Sequence, residues 1–310
     1  MIRAANGDKV PGERPTMNRR GFLLSSALAV PCIARAQGKV PRTGGVRVKL
    51  GLNAYSFNRP LTAGEMTLED LAVFCAQNNF DALDATGYYF PGYPKVPSDD
   101  VIRSLKRKAY ANGVVLSSTG VRNDFSLADS ARRKQEVQLV KDWIEVAAKL
   151  GAPVIRVFSG LKIPEGQTVD QVLAWMVPDF QDCAAYGKKF GIILGLQNHN
   201  DFLKTADQTI RLIKAVDSEW FGNILDIGSL RSADPYEEIE KLVPYAVSWQ
   251  LKELVGIGGK EVPTDLRKVK AAIDRVGYRG FLPIETLGTG DPKEKVPKFA
   301  QQIRAVFSMG

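Results

Sequence analysis

The stretch 48-VKLGLNAYSFNRP-60 decides the fold class of this chain. Its first residues are mostly apolar and are followed by Asn53 and Ser56, as expected for a short buried strand that ends in a loop. An open, doubly wound α/β sheet usually carries a glycine-rich phosphate turn directly after its first strand. No such turn follows here, so the stretch favours a closed barrel over an open sheet.

Seven further segments repeat this pattern of an apolar start and an end in glycine, serine, asparagine or charged residues. They are 80-FDALDATG-87, 114-VVLSSTG-120, 154-VIRVFSG-160, 192-IILGLQNH-199, 221-FGNILDIG-228, 247-VSWQLKE-253 and 281-FLPIETLG-288. Amphipathic stretches separate most of them, and eight βα units in about 260 residues have the dimensions of a TIM barrel. The sequence therefore predicts an α/β fold, a single-domain (β/α)8 TIM barrel over residues 48–308.

Helix boundary signals agree with this alternation. Residues 67–70 and 205–208 have the spacing of capping boxes, and Asp234 precedes a proline suited to the first helical position. Three glycines are placed where helices should end: Gly113, Gly151 and Gly277.

The N-terminal segment is typical of an export signal. The stretch 18-NRRGFLLSSALAVPCIARAQ-37 combines paired arginines, a short apolar run and a small-x-small cleavage site at 34–36. We expect residues 1–37 to be a twin-arginine-type signal, with Met17 a possible start, and residues 38–47 to be a linker. The expected product is periplasmic or secreted and carries no membrane anchor in its mature form.

Charge and cysteine content exclude some classes of function. Residues 1–36 hold six of the 42 Lys and Arg and two of the 34 Asp and Glu, which leaves a net charge of +4 for the rest. The basic residues form no stripe, so no nucleic-acid partner is expected, whereas a polar small-molecule substrate is compatible. Cys75 and Cys183 are too few for a disulfide framework and are expected to be buried.

Polar side chains concentrate at the predicted carboxyl ends of the strands, where TIM barrels place their active sites. Residues two apart on a strand share a face, which pairs Gln197 with His199 and Gln250 with Lys252. Buried polar groups must be paired or used. The remaining candidates at this end are Asp84, Tyr88, Arg156, Asn198, Asp226 and Glu285.

Several of these candidates also have a structural interpretation. His199 could be a hydrogen-bonded structural histidine, and Asp226 could cap the loop that follows its strand. Lys252 could form a salt bridge with Asp226 or Glu285, and Arg156 could be an ion-pair partner that keeps the carboxylates charged. The aromatic segment 88-YYFPGY-93 could cover a sugar ring or only pack within its loop.

Several of these segments carry a family resemblance. The chain resembles the xylose isomerase-like group, which includes sugar phosphate isomerases and epimerases, over about residues 48–305. The matching stretches are 80-FDALD-84, 154-VIRVFSG-160, the QNH strand end at 197–199, 225-LDIG-228, 249-WQLKE-253 and 277-GYRGFLPIETLG-288.

The resemblance implies a divalent-metal site, because metal-dependent members bind one cation through Glu, Asp, His and Glu from four strand ends. Asp226 and Glu285 take the second and fourth of these positions. Gln197 replaces the first glutamate, and Gln250 replaces the histidine. The four oxygen donors suit Mn or Mg better than zinc.

The resemblance also constrains catalysis. Gln197 cannot accept a proton, which disfavours a two-base epimerisation. Glu285 is expected to abstract a proton beside a carbonyl of a small carbohydrate, while Lys252, His199 or a metal stabilises the enediolate. Asp84, Arg156, Asn198 and Tyr88 are expected to bind the substrate.

The chemistry could be an aldose–ketose isomerisation or a β-elimination that opens a 3-keto-glycoside, and the expected export favours the second. The alternative is a barrel that binds a sugar or polyol without turnover. The nuclease branch of the group is disfavoured by the single histidine and the lack of a basic groove.

Overall fold

The computed structural model describes residues 47–199 and 202–309. The predicted signal and all but the last residue of the predicted linker lie outside this part of the chain. Eight parallel strands close into a barrel: β1 (Lys49–Asn53), β2 (Ala82–Thr86), β3 (Val115–Gly120), β4 (Val154–Val157), β5 (Ile193–Gln197), β6 (Phe221–Asp226), β7 (Ala246–Lys252) and β10 (Phe281–Glu285).

The barrel closes between the first and the last of these strands. The strand order is β1-β10-β7-β6-β5-β4-β3-β2, and Lys49 of β1 is in register with Phe281 of β10. Each strand is followed by helical structure, which confirms the predicted single-domain (β/α)8 TIM barrel.

The described helices are α1 (Asn58–Thr62), α2 (Leu68–Gln77), α3 (Asp99–Ala111), α4 (Ser130–Leu150), α5 (Val169–Phe190), α6 (Ala206–Val216), α7 (Pro235–Leu242), α8 (Leu266–Val276) and α9 (Pro292–Phe307). Capping boxes begin α2 at Thr67 and α6 at Thr205, and Asp234 caps α7, as predicted. Gly151 and Gly277 end α4 and α8 in the left-handed conformation that favours glycine.

Most barrel strands end before their predicted carboxyl ends, and β1, β4 and β10 do so by three residues or more. The first was expected to reach Phe57 but stops at Asn53, whose side chain accepts the amide N–H of Tyr55 and starts a 3-10 turn over Ala54–Phe57. β4 stops at Val157, three residues before the predicted end. The polar strand ends therefore belong partly to the loops that surround the mouth of the barrel.

A two-stranded antiparallel hairpin, absent from the predicted fold, is inserted between β7 and α8. It consists of β8 (Leu254–Ile257) and β9 (Lys260–Pro263) and turns at Gly258 and Gly259, both with positive φ. Most of its residues are exposed, so it lacks the apolar run by which the barrel strands were recognised.

Both faces of the barrel strands are covered, so their residues are almost all buried. Cys75 and Cys183 are buried free thiols, as predicted. Among the described residues, no helix is both long and apolar enough to cross a membrane.

Candidate active site at the carboxyl end of the barrel

A cavity of about 210 Å³ opens at the carboxyl end of the barrel. Its polar residues come mostly from strand ends, and its apolar residues come from the loops above them. The polar and aromatic lining includes Asn53, Tyr88, Arg156, Gln197, His199, Gln250, Lys252 and Glu285; the apolar rim includes Phe158, Leu161 and Leu287. A polar floor under an apolar rim is the usual composition of a small-molecule site.

Lys252, the last residue of β7, links the two carboxylates of the floor. Its Nζ lies 3.2 Å from Asp226 Oδ2 and 3.0 Å from Glu285 Oε1. Lys252 and Glu285 are in register on adjacent strands, and Asp226 ends the strand on the other side of β7. The predicted salt bridges of Lys252 with Asp226 and Glu285 are therefore both present.

This contact fixes the charges of the floor. Burial alone would lower the pKa of Lys252, but attraction and hydrogen bonds from Asp226 and Glu285 outweigh it and raise that pKa above its ordinary value. Burial opposes ionisation of Asp226, yet Lys252, together with hydrogen bonds from Ser229 and Gln197, holds its pKa below the ordinary value. Lys252 is therefore a permanent cation at neutral pH and cannot act as a base or an amine nucleophile.

The amide of Gln197 has a single orientation that satisfies its neighbours. Its Nε2 donates to Asp226 Oδ2 at 2.7 Å and to Gln250 Oε1 at 2.6 Å, while its Oε1 accepts from Arg156 Nη1 at 3.3 Å. A guanidinium can only donate and an ionised carboxylate can only accept, so turning the amide around would lose both contacts. Gln197 therefore acts as a donor toward the carboxylates.

Arg156 is a buried cation held by aromatic rings. Its Nη2 donates to the hydroxyl of Tyr88 at 2.5 Å, and its guanidinium lies 4.4 Å from the ring centre of Phe158. Among the described residues, Arg156 makes no direct ion pair with Asp84 or Glu285, although its charge lowers the pKa of Asp84. Its position between Tyr88 and Gln197 places it in the wall of the cavity.

Two predicted substrate-binding residues are buried beneath the cavity rather than lining it. Asp84 is 1% exposed and accepts from Asn53 Nδ2 at 2.9 Å, so that Asn53 separates it from the cavity. Asn198 is fully buried and binds the backbone of Asp226 at both its N–H (2.9 Å) and its carbonyl (2.8 Å). Asn198 thus positions Asp226.

The aromatic segment 88–93 mostly packs against the helical layer. Phe90 and Tyr93 make edge-to-face contacts with Trp143, with ring centres 5.6 and 5.4 Å apart. Tyr88 lines the cavity. The segment therefore matches the predicted loop packing, and Tyr88 contributes to the wall of the cavity rather than to a lid.

His199 lies at the mouth of the cavity. It is half-buried, and its ring centre is 5.4 Å from that of Phe158. Of the ten candidates from the sequence, seven line the cavity, Asp226 contacts the lining residues Gln197 and Lys252, and Asp84 and Asn198 support the floor from below.

Some lining residues were not among the predicted candidates. Asn53 ends β1 by the same rule that identified Gln197, so its strand position could have revealed it. Arg122, Leu161 and Leu287 lie in loops, where a sequence gives little indication of which side chains turn inward.

The floor does not fit a divalent cation held by the four predicted metal-binding side chains. These side chains do share one network, but Lys252 Nζ lies between the two carboxylates, and Gln197 turns its NH₂ group toward Asp226. In the part of the chain that the structure describes, no group of three or more His, Cys, Asp or Glu residues is arranged to hold a metal ion.

Comparisons with known proteins agree with this architecture. A family model described as "Xylose isomerase-like TIM barrel" matches residues 73–306. A search of the curated proteins gave no significant match.

Solved structures with the same fold include D-psicose 3-epimerase with D-tagatose from Clostridium cellulolyticum H10, at 18% identity and a TM-score of 0.69, covering 84% of this chain and 99% of that one. The 3-keto-D-glucoside 4-epimerase from E. coli is 12% identical, with a TM-score of 0.68 and coverages of 84% and 100%. A xylose isomerase-like TIM barrel protein from Mycobacterium smegmatis in complex with magnesium is 18% identical, with a TM-score of 0.64 and coverages of 84% and 97%.

Proposed function

The chain belongs to the xylose isomerase-like TIM barrel family, and from this membership we propose that it is an enzyme that moves a proton at the carbon beside a carbonyl group of a small carbohydrate. The observation that carries the proposal is the pair formed by Glu285 and Lys252 on the cavity floor, with 3.0 Å between their charged atoms. The similar sugar epimerases support a carbohydrate as the substrate.

Glu285 is the base in this proposal. Its carboxylate removes the C–H proton, and the electron pair of that bond forms an enediolate with the neighbouring carbonyl. Lys252 has three N–H donors, and two of them are used by Asp226 and Glu285. The third can stabilise the oxyanion of the enediolate, and His199 at the mouth can bind a second oxygen.

The network around Gln197 supports one-base chemistry. Both ends of its amide are engaged by Asp226, Gln250 and Arg156, and an amide has no basic site at neutral pH. With one base, Glu285 returns the proton to the adjacent carbon in an isomerisation, or passes it to the β-substituent that the electron pair expels in an elimination. The export proposed for residues 1–37 favours a glycoside-derived ketone and hence the elimination.

Solvent exchange tests the proposal. Incubation with ketoses and 3-keto-glycosides in deuterated water should place deuterium on the carbon beside the carbonyl, as read by NMR. Glu285→Gln should lower the exchange rate by roughly 10²- to 10⁴-fold, the usual contribution of a positioned base. The matched control is Glu253→Gln, because Glu253 follows β7 but pairs with Lys295 outside the cavity.

A barrel that binds a sugar or polyol without turnover is the second candidate, favoured by the ion pair that occupies Glu285 Oε1. It predicts ligand binding by calorimetry without deuterium exchange in the wild type. That result would end the enzymatic proposal.

A further inference from the structure

We infer that the ammonium group of Lys252 takes the place of the divalent cation that metal-dependent relatives bind, so that this site works without a metal. Its Nζ lies 3.2 Å from Asp226 and 3.0 Å from Glu285, the two carboxylates at the second and fourth ligand positions of the family pattern. The inference goes beyond the proposed reaction, because it concerns which cation holds the floor together.

Asp226 Oδ2, the oxygen that faces Lys252, has no acceptor site to offer a metal. The Oδ1 atom of Asp226 accepts from the N–H of Gly228 at 3.0 Å, and its Oδ2 accepts from Gln197 at 2.7 Å and from Ser229 Oγ at 2.7 Å, in addition to Lys252. Each carboxylate oxygen has about two lone-pair sites, so the three donors around Oδ2 leave none of its sites free, whereas Oδ1 has one donor. Binding a cation through Oδ2 would require at least one of its three contacts to break.

The net charge of this floor equals that of the family's metal site, although the residues differ. Two glutamates, an aspartate and a neutral histidine around a divalent cation carry a net charge of −1, counting three carboxylates against +2. Here Asp226 and Glu285 against Lys252 again give −1, since Gln197 and Gln250 are neutral. The loss of one carboxylate at Gln197 is therefore matched by a cation with one charge fewer.

Gly228 gives independent support, because it leaves room for the stem of the lysine. A Cβ at Gly228 would lie 2.5 Å from Lys252 Cδ, and the nearest other atom, the carbonyl oxygen of Leu254, is 3.3 Å away. Gly228 has no positive φ, so its lack of a side chain serves this approach rather than a backbone conformation. The loop after β6 is thus shaped around the lysine in its bridging position.

The wild-type protein provides the first test. Titration with MnCl₂ or MgCl₂ after dialysis against EDTA should leave the thermal midpoint unchanged and give no binding heat. A stoichiometric metal that raises the midpoint by several degrees would overturn the inference, because a ligand that binds only the folded state must stabilise it.

A pair of variants provides the second test. Lys252→Met combined with Gln197→Glu and Gln250→His restores the family donors and removes the ammonium, and it should bind one Mn²⁺ per chain with a higher thermal midpoint. The matched control carries Gln197→Glu and Gln250→His with Lys252 retained, and it should show no such gain. Equal Mn²⁺ binding by both variants would contradict the inference.

If the triple variant does not fold, the Lys252→Met variant alone tests whether loss of the ammonium group allows Mn²⁺ to bind. It leaves two buried carboxylates without their cation, so Mn²⁺ should raise its midpoint; no rise in the folded variant would also contradict the inference. None of these measurements uses a substrate, so they stand apart from the test of the proposed reaction.

Discussion

Asp84 is a carboxyl group placed where ionisation is costly. Burial raises its pKa to about 6, although Arg156 and the hydrogen bond from Asn53 partly offset that effect. An acid with a raised pKa in the folded state binds its proton more tightly there than in the unfolded chain. Between its ordinary value of 3.8 and about 6, stability therefore falls as the pH rises, and the full cost applies above this window.

Asp84→Asn should therefore stabilise the protein at alkaline pH. The difference between the two pKa values corresponds to roughly 3 kcal/mol, and an asparagine of the same shape cannot ionise. The expected free energy of unfolding is higher than that of the wild type by up to this amount at pH 8, and nearly equal at pH 4. Urea unfolding curves at both pH values measure the difference.

A matched variant separates this effect from a general response to charge removal. Asp142 is exposed on α4, so Asp142→Asn should track the wild type at both pH values. An Asp84→Asn variant that is less stable than the wild type at pH 8 would show that the ionised form is needed by Arg156.

At the scale of strands and helices, the prediction from sequence was accurate where one physical signal dominated. Apolar runs identified all eight barrel strands, and capping residues such as Thr67 and Thr205 marked helix starts. The hairpin over β8 and β9 was missed because its residues are largely exposed and carry no apolar pattern. Strand ends were placed too late where side chains such as Asn53 turn the backbone into a 3-10 segment.

The site was predictable to the extent that it depends on strand position. The rule that polar strand ends meet at one mouth correctly grouped Gln197, Asp226, Lys252 and Glu285. It could not give the direction of the Gln197 amide, because that direction depends on Arg156, which reaches it from another strand. Contacts between strands 41 residues apart in sequence leave no local signature.

The approach of β3 to β4 controls the position of that arginine. Gly120 of β3 is in register with Arg156, and an added Cβ would lie 2.7 Å from its Nε and 2.9 Å from its Cβ. The arginine Cβ is not a flexible end, so Gly120→Ala should shift the side chain away from Tyr88 and Gln197. We expect a loss of about 1–3 kcal/mol in the free energy of unfolding, typical of an overpacked core.

Thermal or urea unfolding measures this loss, with Gly256→Ala as the control. Gly256 lies in the hairpin, and the nearest atom to an added Cβ there is 3.5 Å away, so no comparable loss is expected. Equal stability of Gly120→Ala and the wild type would mean that the arginine has another position of similar energy.

At the scale of the whole molecule, the topology of the barrel favours folding before export. β1 pairs with β10, and Lys49 is in register with Phe281, so the barrel closes only when nearly the entire chain is present. Pairings between residues so far apart in sequence slow folding. A route that exports folded proteins suits such a barrel, and this agrees with the paired Arg19 and Arg20 proposed as the export signal.

Replacing Arg19 and Arg20 together with lysine should therefore leave the protein in the cytoplasm of a bacterial host that has twin-arginine export. The charge of the segment is unchanged, so only recognition of the arginine pair is lost. Cell fractionation followed by immunoblotting measures the exported fraction, and Arg35→Lys, outside the pair, should be exported like the wild type. Export of the double-lysine variant at the wild-type level would assign residues 1–37 to another export route. A wild-type protein that stays in the cytoplasm would contradict the proposed export signal, and the argument for a glycoside-derived substrate would fail with it.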